Sequence, residues 1–398
     1  MRIALFLPHL GVTGGLGVHC RAVVAALLRA DPTARLTVFA PRDPGLLFPL
    51  AGRDDTWPAL VADPRVTFVP LDWPADANLA DPPDAVLAGP LSQHPADVLL
   101  CSYYVGMEAP PCPQAVVFHD AGFLEFPHVF GATAERRRAG VARTKLDVLV
   151  CVSADGRDRV CRLLPFDPAR TAVVWHALTD PPEAMAAATS FAGELWPGGD
   201  HLADWGRYVF SPVGAATGFN RVRKNVPAGV RAFRRLGDAG LKLIVASTGT
   251  LTERMLVDLL PAEEVGCLTN GAWRSDDGAV VVLPNLDRVP FLAAMRHAAA
   301  VLYPTRYEGF GLPAIEAMAL GVPLVAGNAT SLPEVVGDAG RLVAPDDVAG
   351  FAAALREVLT DPGELVRRGR ERATVFTPDR MGRELLAVFG RLQGERRV

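Results

Sequence analysis

The sequence predicts an α/β protein of two domains, each an open, mostly parallel sheet with helices on both faces. Three observations carry this. The chain has 398 residues, too many for one ordinary core, and length over ~150 gives two to three domains. Short apolar β runs alternate with longer helical stretches, the pattern of a parallel sheet covered on both sides. That alternation stops near residue 180 and begins again near residue 207.

Ile3–Leu7 is a continuous apolar strand running into Pro8-His9-Leu10-Gly11-Val12-Thr13-Gly14-Gly15-Leu16-Gly17. A helix is expected from about Val18 to Arg29, with apolar Val23, Leu27 and Leu28 on one side. Further strands are expected at Leu36–Phe39, Val66–Val69, Val98–Cys101, Ala115–Phe118, Val148–Val152 and Ala172–Trp175. Between the last two, Ser153 or Asp155 suits the N-cap of a helix reaching about Leu164. Residues 181–206, with Pro181-Pro182 and Pro197-Gly198-Gly199, show no β period and read as a connection. A second series opens at Tyr208–Val213, which feeds another glycine-bearing loop from Gly214 to Asn220. It continues with Leu241–Ser247, Val280–Leu283, Ala300–Tyr303 and Leu324–Ala326, each followed by a loop and a helix. Two Rossmann-like domains are therefore expected at 1–180 and 207–378, with no internal repeat between them. The last helix, 379–398, is expected to pack back on the first domain. Ligands of such sheets sit beyond the carboxyl ends of strands. Two domains facing across a cleft would place the chemistry in those loops.

Composition narrows the function. Half of the residues are apolar, 21% are charged, and 40 basic against 44 acidic residues leave a net charge of −4. Disorder requires low hydrophobicity and high net charge, and a dedicated nucleic-acid binder usually a strongly basic surface. Both are excluded. Gly (37) and Pro (34) are plentiful but follow no G-X-Y period, so a collagenous chain is excluded too. No stretch approaches the ~18 unbroken apolar residues of a spanning helix. Ile3 to Leu7 breaks at Pro8-His9, too short for a secretory h-region. Cys20, Cys101, Cys112, Cys151, Cys161 and Cys267 form no C-x-x-C pair. They read as small buried hydrophobes in a reducing cytosol, and no Cys/His cluster for a metal is expected.

The densest signal runs from Tyr303 to Pro323: Tyr-Pro-Thr-Arg-Tyr-Glu-Gly-Phe-Gly-Leu-Pro-Ala-Ile-Glu-Ala-Met-Ala-Leu-Gly-Val-Pro. A strand ends near Tyr303, and glycines flank Phe310. Pro313 suits the first turn of a helix; Gly321 suits its C′ position, and Pro323 bars continuation. Such a loop offers backbone N–H groups at a positive helix start, an anion site. Glu308 and Glu316 would repel a pyrophosphate there. Their fitting partners are neutral hydroxyls, and one carboxylate can accept two from a single ribose.

Glu308-Gly309-Phe310-Gly311-Leu312-Pro313 with Glu316 resembles the E-x7-E signature of retaining, GT-B-fold glycosyltransferases of family 4. The resemblance continues through Gly321-Val322-Pro323-Leu324-Val325, Ser331 to Ala339 and Pro345-Asp346-Asp347. Upstream it takes in Phe291 to Ala300 and Arg223-Lys224-Asn225. It implies a nucleoside-diphosphate-sugar donor, a hydroxyl acceptor and no cofactor. By the same resemblance Glu308 meets hydroxyls of the donor sugar and Glu316 the ribose, while the backbone of Phe310, Gly311 and Leu312 holds sugar and phosphate. Glu334, which the family often carries, reads as a local structural residue.

The leaving diphosphate needs positive charge as the glycosidic bond breaks. The chain has no D-x-D to clamp a metal, so a protein cation is required and a metal-independent reaction is expected. Lys224 fits, with Arg223 beside it, and the family places a lysine there. Many relatives carry an arginine five residues earlier, where this chain has Phe219; Arg221 or Arg223 would substitute. Gly14-Gly15-Leu16-Gly17 resembles the glycine loop whose backbone, at Gly15, approaches the donor phosphate. A dinucleotide fingerprint laid over Gly15 and Gly17 meets Cys20 where glycine is needed, and no acidic residue ends the second strand, which disfavours a nicotinamide site. His119-Asp120 follows the Ala115–Phe118 strand, and the resemblance puts His119 beside the sugar. His9, His19 and His176 receive no role, and His176 stands where relatives usually read Asn-Gly.

One basic cluster remains, Arg136-Arg137-Arg138 with Arg143 and Lys145. It reads as a solvated face in an acidic chain; the alternative is contact with anionic lipid at the inner face of a membrane. The function expected is retaining transfer of a sugar by a cytoplasmic enzyme. A sugar phosphorylase or a nucleotide-sugar epimerase of the same fold is the alternative, then a non-catalytic binding module.

Overall fold

A computed structural model describes residues 1–12, 14–43, 57–73, 78–178, 182–195, 199–213, 219–247, 259–269, 271–283 and 286–394. Two compact units emerge: Met1–Pro49 with Arg53–Thr179 and Phe376–Val398, and Leu50–Gly52 with Asp180–Val375.

The first unit holds β1 (Arg2–Phe6), β2 (Arg35–Pro41), β3 (Val66–Leu71), β4 (Val98–Cys101), β5 (Gln114–Phe118), β6 (Val148–Cys151) and β7 (Thr171–Val173). They form one sheet in the order β3-β2-β1-β4-β5-β6-β7. Every pairing is parallel. The strands are apolar without alternation because helices cover both faces; β4, β5 and β6 are buried at every residue. The first helix spans Gly15–Ala30, starting three residues before the expected Val18 because the glycine loop itself forms its first turn. Gly17 permits this: a Cβ there would lie 1.8 Å from the Val12 carbonyl oxygen. Ser153, not Asp155, caps the Ala154–Leu163 helix, accepting from the Gly156 amide. The last helix, Pro378–Gly394, lies against Gly15–Ala30 within this unit. Their closest approach needs Gly382, whose Cβ would meet the Ala26 carbonyl oxygen at 2.1 Å.

The second unit holds β8 (Arg207–Val213), β9 (Leu241–Ser247), β10 (Gly266–Thr269), β11 (Ala272–Ser275), β12 (Val280–Leu283), β13 (Ala300–Tyr303), β14 (Leu324–Gly327) and β15 (Arg341–Val343). Their order is β10-β11-β12-β9-β8-β13-β14-β15. All pair in parallel except the antiparallel β10–β11 and β11–β12. The β10–β11 hairpin escaped the sequence reading although Asn270-Gly271, a strong hairpin signal, separates its strands. Gly271 supplies the positive φ of 76°. β15 has three residues, too few to announce a strand.

The connection expected at 181–206 is corrected. It carries a helix, Pro182–Ser190, and a 3-10 turn, Leu202–Trp205. Ala188, Leu195 and Trp205 are buried in the second unit's core, so the segment belongs to that unit. Cysteine placement is corrected as well. Cys20, Cys101, Cys112 and Cys151 are buried, but Cys161 is half-buried and Cys267 exposed on β10. None is in a disulfide. Among the described residues, no helix is long and apolar enough to cross a membrane.

Candidate functional site

Each sheet reverses its strand order once, between β1 and β4 in the first unit and between β8 and β13 in the second. Ligands of doubly wound sheets bind at such points, beyond the strand ends. The residues singled out from the sequence cluster at these two places.

In the second unit, β13 ends at Tyr303 and the chain turns through Pro304 to Gly311 into the Leu312–Leu320 helix. Gly311 caps that helix at φ 103°, a left-handed conformation that favours glycine. A Cβ there would also meet Leu332 at 2.6 Å. Pro313 stands in the first turn, and Gly321 closes the helix at φ 71°. The Leu312 amide, at the first helical position, has no intrahelical acceptor. Ser331 Oγ fixes the loop, its single hydroxyl proton shared between the carbonyls of Glu308 (3.0 Å) and Phe310 (2.9 Å). The Glu308 amide donates to Thr330 Oγ1.

This loop is sewn to the Phe219–Lys224 helix. The Arg306 amide donates to the Arg223 carbonyl, and Asn225 Nδ2 to the carbonyls of Pro304 and Pro345. Asn225 takes φ 52°, which asparagine tolerates better than most residues. The result sets Lys224 and Arg223 against Glu308. Lys224 Nζ donates to Glu308 Oε1 and to the Tyr303 hydroxyl, both at 2.8 Å; Arg223 donates to Glu308 Oε2 at 2.9 Å. Thr305 Oγ1 lies 2.9 Å from Glu308 Oε1.

Lys224 and Glu308 are 7% and 6% exposed, so the ion pair stands almost wholly out of water. Burial by itself pushes the Glu308 carboxyl up, but Arg223 and then Lys224 outweigh it and hold it at about 2. Burial brings the Lys224 ammonium down to about 8, against the pull of Glu308. Burial, then the Glu308 charge, keeps the Tyr303 phenol well above its ordinary value. Two cations thus share one carboxylate, leaving the cluster net positive at neutral pH. Glu316, 3% exposed, sits one turn inside the helix, paired with Arg288 at 2.5 Å.

In the first unit, His119 follows β5 and is buried. Its Nε2 lies 2.8 Å from the Ser102 carbonyl, beyond β4. Burial lowers its imidazole below the ordinary value. Gly15, exposed, opens the first helix beyond β1. Asp120 has a local task, accepting the Gly122 amide.

A family model for glycosyl transferases group 1 matches residues 212–361, and one for glycosyltransferase family 4 matches residues 13–178. The chain belongs to the group 1 glycosyltransferases. Over 60 residues it is 52% identical to O-antigen chain mannosyltransferase B of Escherichia coli, spanning 15% of either chain. Solved structures share the fold across nearly the whole length. Sucrose-phosphate synthase from Thermosynechococcus elongatus aligns at TM-score 0.66 and 18% identity, over 99% of both chains. WaaG, a glycosyltransferase involved in lipopolysaccharide biosynthesis, aligns at 0.63 and 16%, over 97% of this chain and 98% of its own. Anabaena HepE, in complex with UDP and glucose, aligns at 0.64 and 13%, over 98% and 99%.

In this glycosyltransferase the second unit brings Arg223, Lys224, Glu308, Phe310, Gly311, Leu312 and Glu316 onto one loop–helix element and the helix sewn to it. Phe310 is buried, and its carbonyl accepts from Ser331 Oγ. Residues 214–218 lie outside the described residues, as do the side chains of Phe219 and Arg221. Glu334, in the first turn of the short Leu332–Val336 helix, gives its backbone carbonyl to Arg372. Sequence reasoning missed Arg288, Thr305 and Tyr303, whose roles come from partners 28, 3 and 79 positions away.

One expectation holds in part and one is corrected. The basic cluster is a solvated face at Arg136, Arg138, Arg143 and Lys145, all exposed, but not at Arg137. Arg136 pairs with Asp81 and Arg143 with Glu108, while Arg138 donates to the Leu124 carbonyl. Arg137 lies half-buried among the rings of Tyr103, Tyr104, Phe123 and Phe130. The glycosyltransferase also contains a histidine cluster where none was expected: His19, His119 and His176 each bring a ring nitrogen within 4.8 Å of the others. They sit on three separate elements, so their spacing along the chain carries no metal-ligand pattern.

Proposed function

We propose that the protein moves a hexosyl group from a nucleoside-diphosphate sugar to a hydroxyl acceptor, with retention at the anomeric carbon and without a metal ion. The observation that carries this reading is the buried Lys224–Glu308 pair with half-buried Arg223 beside a glycine-capped helix start, with Glu316 one turn further on. The UDP complexes of HepE support a nucleotide-sugar donor, as does the UDP-2-fluoro glucose complex of a further fold neighbour.

The donor diphosphate would lie against Lys224, Arg223 and the amides around Gly311 and Leu312. Its charge draws the cations toward it, freeing Glu308 to accept from sugar hydroxyls. Glu316 exchanges Arg288 for ribose hydroxyls. The resemblance assigns His119 to the sugar as well; with Nε2 committed to Ser102, Nδ1 is the atom left for it. The bond from the anomeric carbon to the diphosphate oxygen breaks as the acceptor oxygen bonds on the same face. The acceptor's proton passes to the leaving phosphate. Charge growing on that phosphate is what Lys224 and Arg223 stabilise.

A thermal-shift screen of nucleoside diphosphates and their sugars identifies the donor, and NMR of the product's anomeric proton reads retention. An inverted product, or release of sugar phosphate in place of transfer, would overturn the reading. Added chelator is expected to leave transfer within a factor of ten, a barrier change under ~1.4 kcal/mol. A larger loss would show that a metal ion, rather than Lys224, offsets the charge of the leaving diphosphate.

The Lys224 value of about 8 sets a pH dependence. The ammonium is charged below that pH and loses its proton above it, so kcat/KM should fall as pH rises through about 8. With donor bound, the diphosphate favours the charged form, so the same limb in kcat should lie higher. Lys224→Arg should remove the limb, since guanidinium stays charged. A limb of equal position in that variant would assign it to another group.

A further inference from the structure

The three histidines of the first unit sit on different elements: His19 in the Gly15–Ala30 helix, His119 after β5, and His176 after β7. All are buried, and burial first holds each imidazole below its ordinary value. Neutral imidazole is the form that binds metal.

Their hydrogen bonds fix much of the chemistry. The Ser102 carbonyl can only accept, so His119 Nε2 carries its proton and Nδ1 is left with a lone pair. A ring nitrogen anchored to a backbone carbonyl is how metal-bound histidines are commonly oriented. His19 Nδ1 and His176 Nδ1 approach to 2.9 Å, which requires one to donate to the other. His19 Nε2 is buried with no hydrogen-bond partner, a destabilising arrangement for a polar atom. The rings are set at angles: His119 and His176 are parallel within 8°, and His19 stands edge-on to both. Tetrahedral bonds of about 2.0–2.1 Å to zinc would place ligand nitrogens about 3.3 Å apart. The observed 2.9 Å contact falls below that spacing and the 4.8 Å limit above it, so small ring rotations complete the set.

We propose that His19, His119 and His176 form a binding site for a divalent transition ion of the zinc type, with three imidazole ligands. Among the described residues no carboxylate or cysteine joins them. Three imidazoles with a further position for water are a ligand set that zinc takes. An ion held by the three rings engages His119 and withdraws it from the sugar, so the ion inhibits transfer rather than assisting it. This consequence rests on the proposed function; the binding itself does not.

The test uses the full chain, stripped with chelator and titrated with Co²⁺ in place of Zn²⁺. One equivalent should bind with the visible absorption of tetrahedral cobalt, and Zn²⁺ should displace it. His176→Asn and His19→Gln should each weaken binding by at least about 100-fold, the upper end of what loss of an outer partner alone causes. Paramagnetically shifted imidazole resonances of the wild-type Co²⁺ complex count the ligands even if both variants fail to fold. No stoichiometric uptake, binding as tight in the folded variants, or fewer than three shifted imidazoles would overturn the site. One equivalent of Zn²⁺ should lower transfer, reversed by chelator. Tetrahedral cobalt with undiminished transfer would keep the site and instead remove His119 from the sugar.

Discussion

Lys224→Ala is expected to lower kcat by about 10²–10³-fold, since one preorganised donor facing developing charge is worth ~2.7–4 kcal/mol. Arg136→Ala should change it by less than twofold. The contrast rests on surroundings. Lys224 Nζ is buried at 2.8 Å from Glu308, where water does not screen it. Arg136 is half-exposed, 3.3 Å from Asp81, and exposed pairs contribute ~0–1 kcal/mol. Removing Lys224 leaves Glu308 with Arg223 and Thr305, so the carboxylate keeps part of its compensation. Steady-state rates of both variants, with circular dichroism as the folding control, decide the matter. Equal small effects would place the phosphate site elsewhere.

The second large effect separates the two glutamates. Glu316→Gln should weaken free nucleoside diphosphate by about 10–100-fold, since a hydrogen bond to a charged group is worth ~1.5–3 kcal/mol. Glu308→Gln should leave that affinity nearly intact while impairing turnover of the complete donor. The structure gives a reason: Glu308 bonds the two cations, and Arg223 stays charged without it, while Lys224 loses the partner that helps hold its proton. Calorimetric titration of each variant with the free nucleotide, followed by donor kinetics, checks this. If Glu308→Gln loses the nucleotide as badly as Glu316→Gln, the assignment of roles fails. If neither variant matters, both residues serve only their ion pairs with Arg223, Lys224 and Arg288.

What the sequence determined by itself is local. The apolar runs of β1, β4, β5, β6, β12 and β13 needed only their own residues to be read, because both faces of a parallel sheet are covered. The helix start at Gly311-Leu312-Pro313 and its stop at Gly321 follow from backbone conformations that few residues adopt. The E-x7-E string around that start points to the family on its own. The tertiary structure decided which distant residues share a charge or a proton. Glu308 meets Arg223 and Lys224 across 85 and 84 positions. Glu316 meets Arg288 across 28, and His19 meets His176 across 157. Such pairings depend on strand order and on loops crossing one another at strand ends. One sequence does not display these contacts, because they are set by which β-strands lie side by side and not by the spacing of residues along the chain.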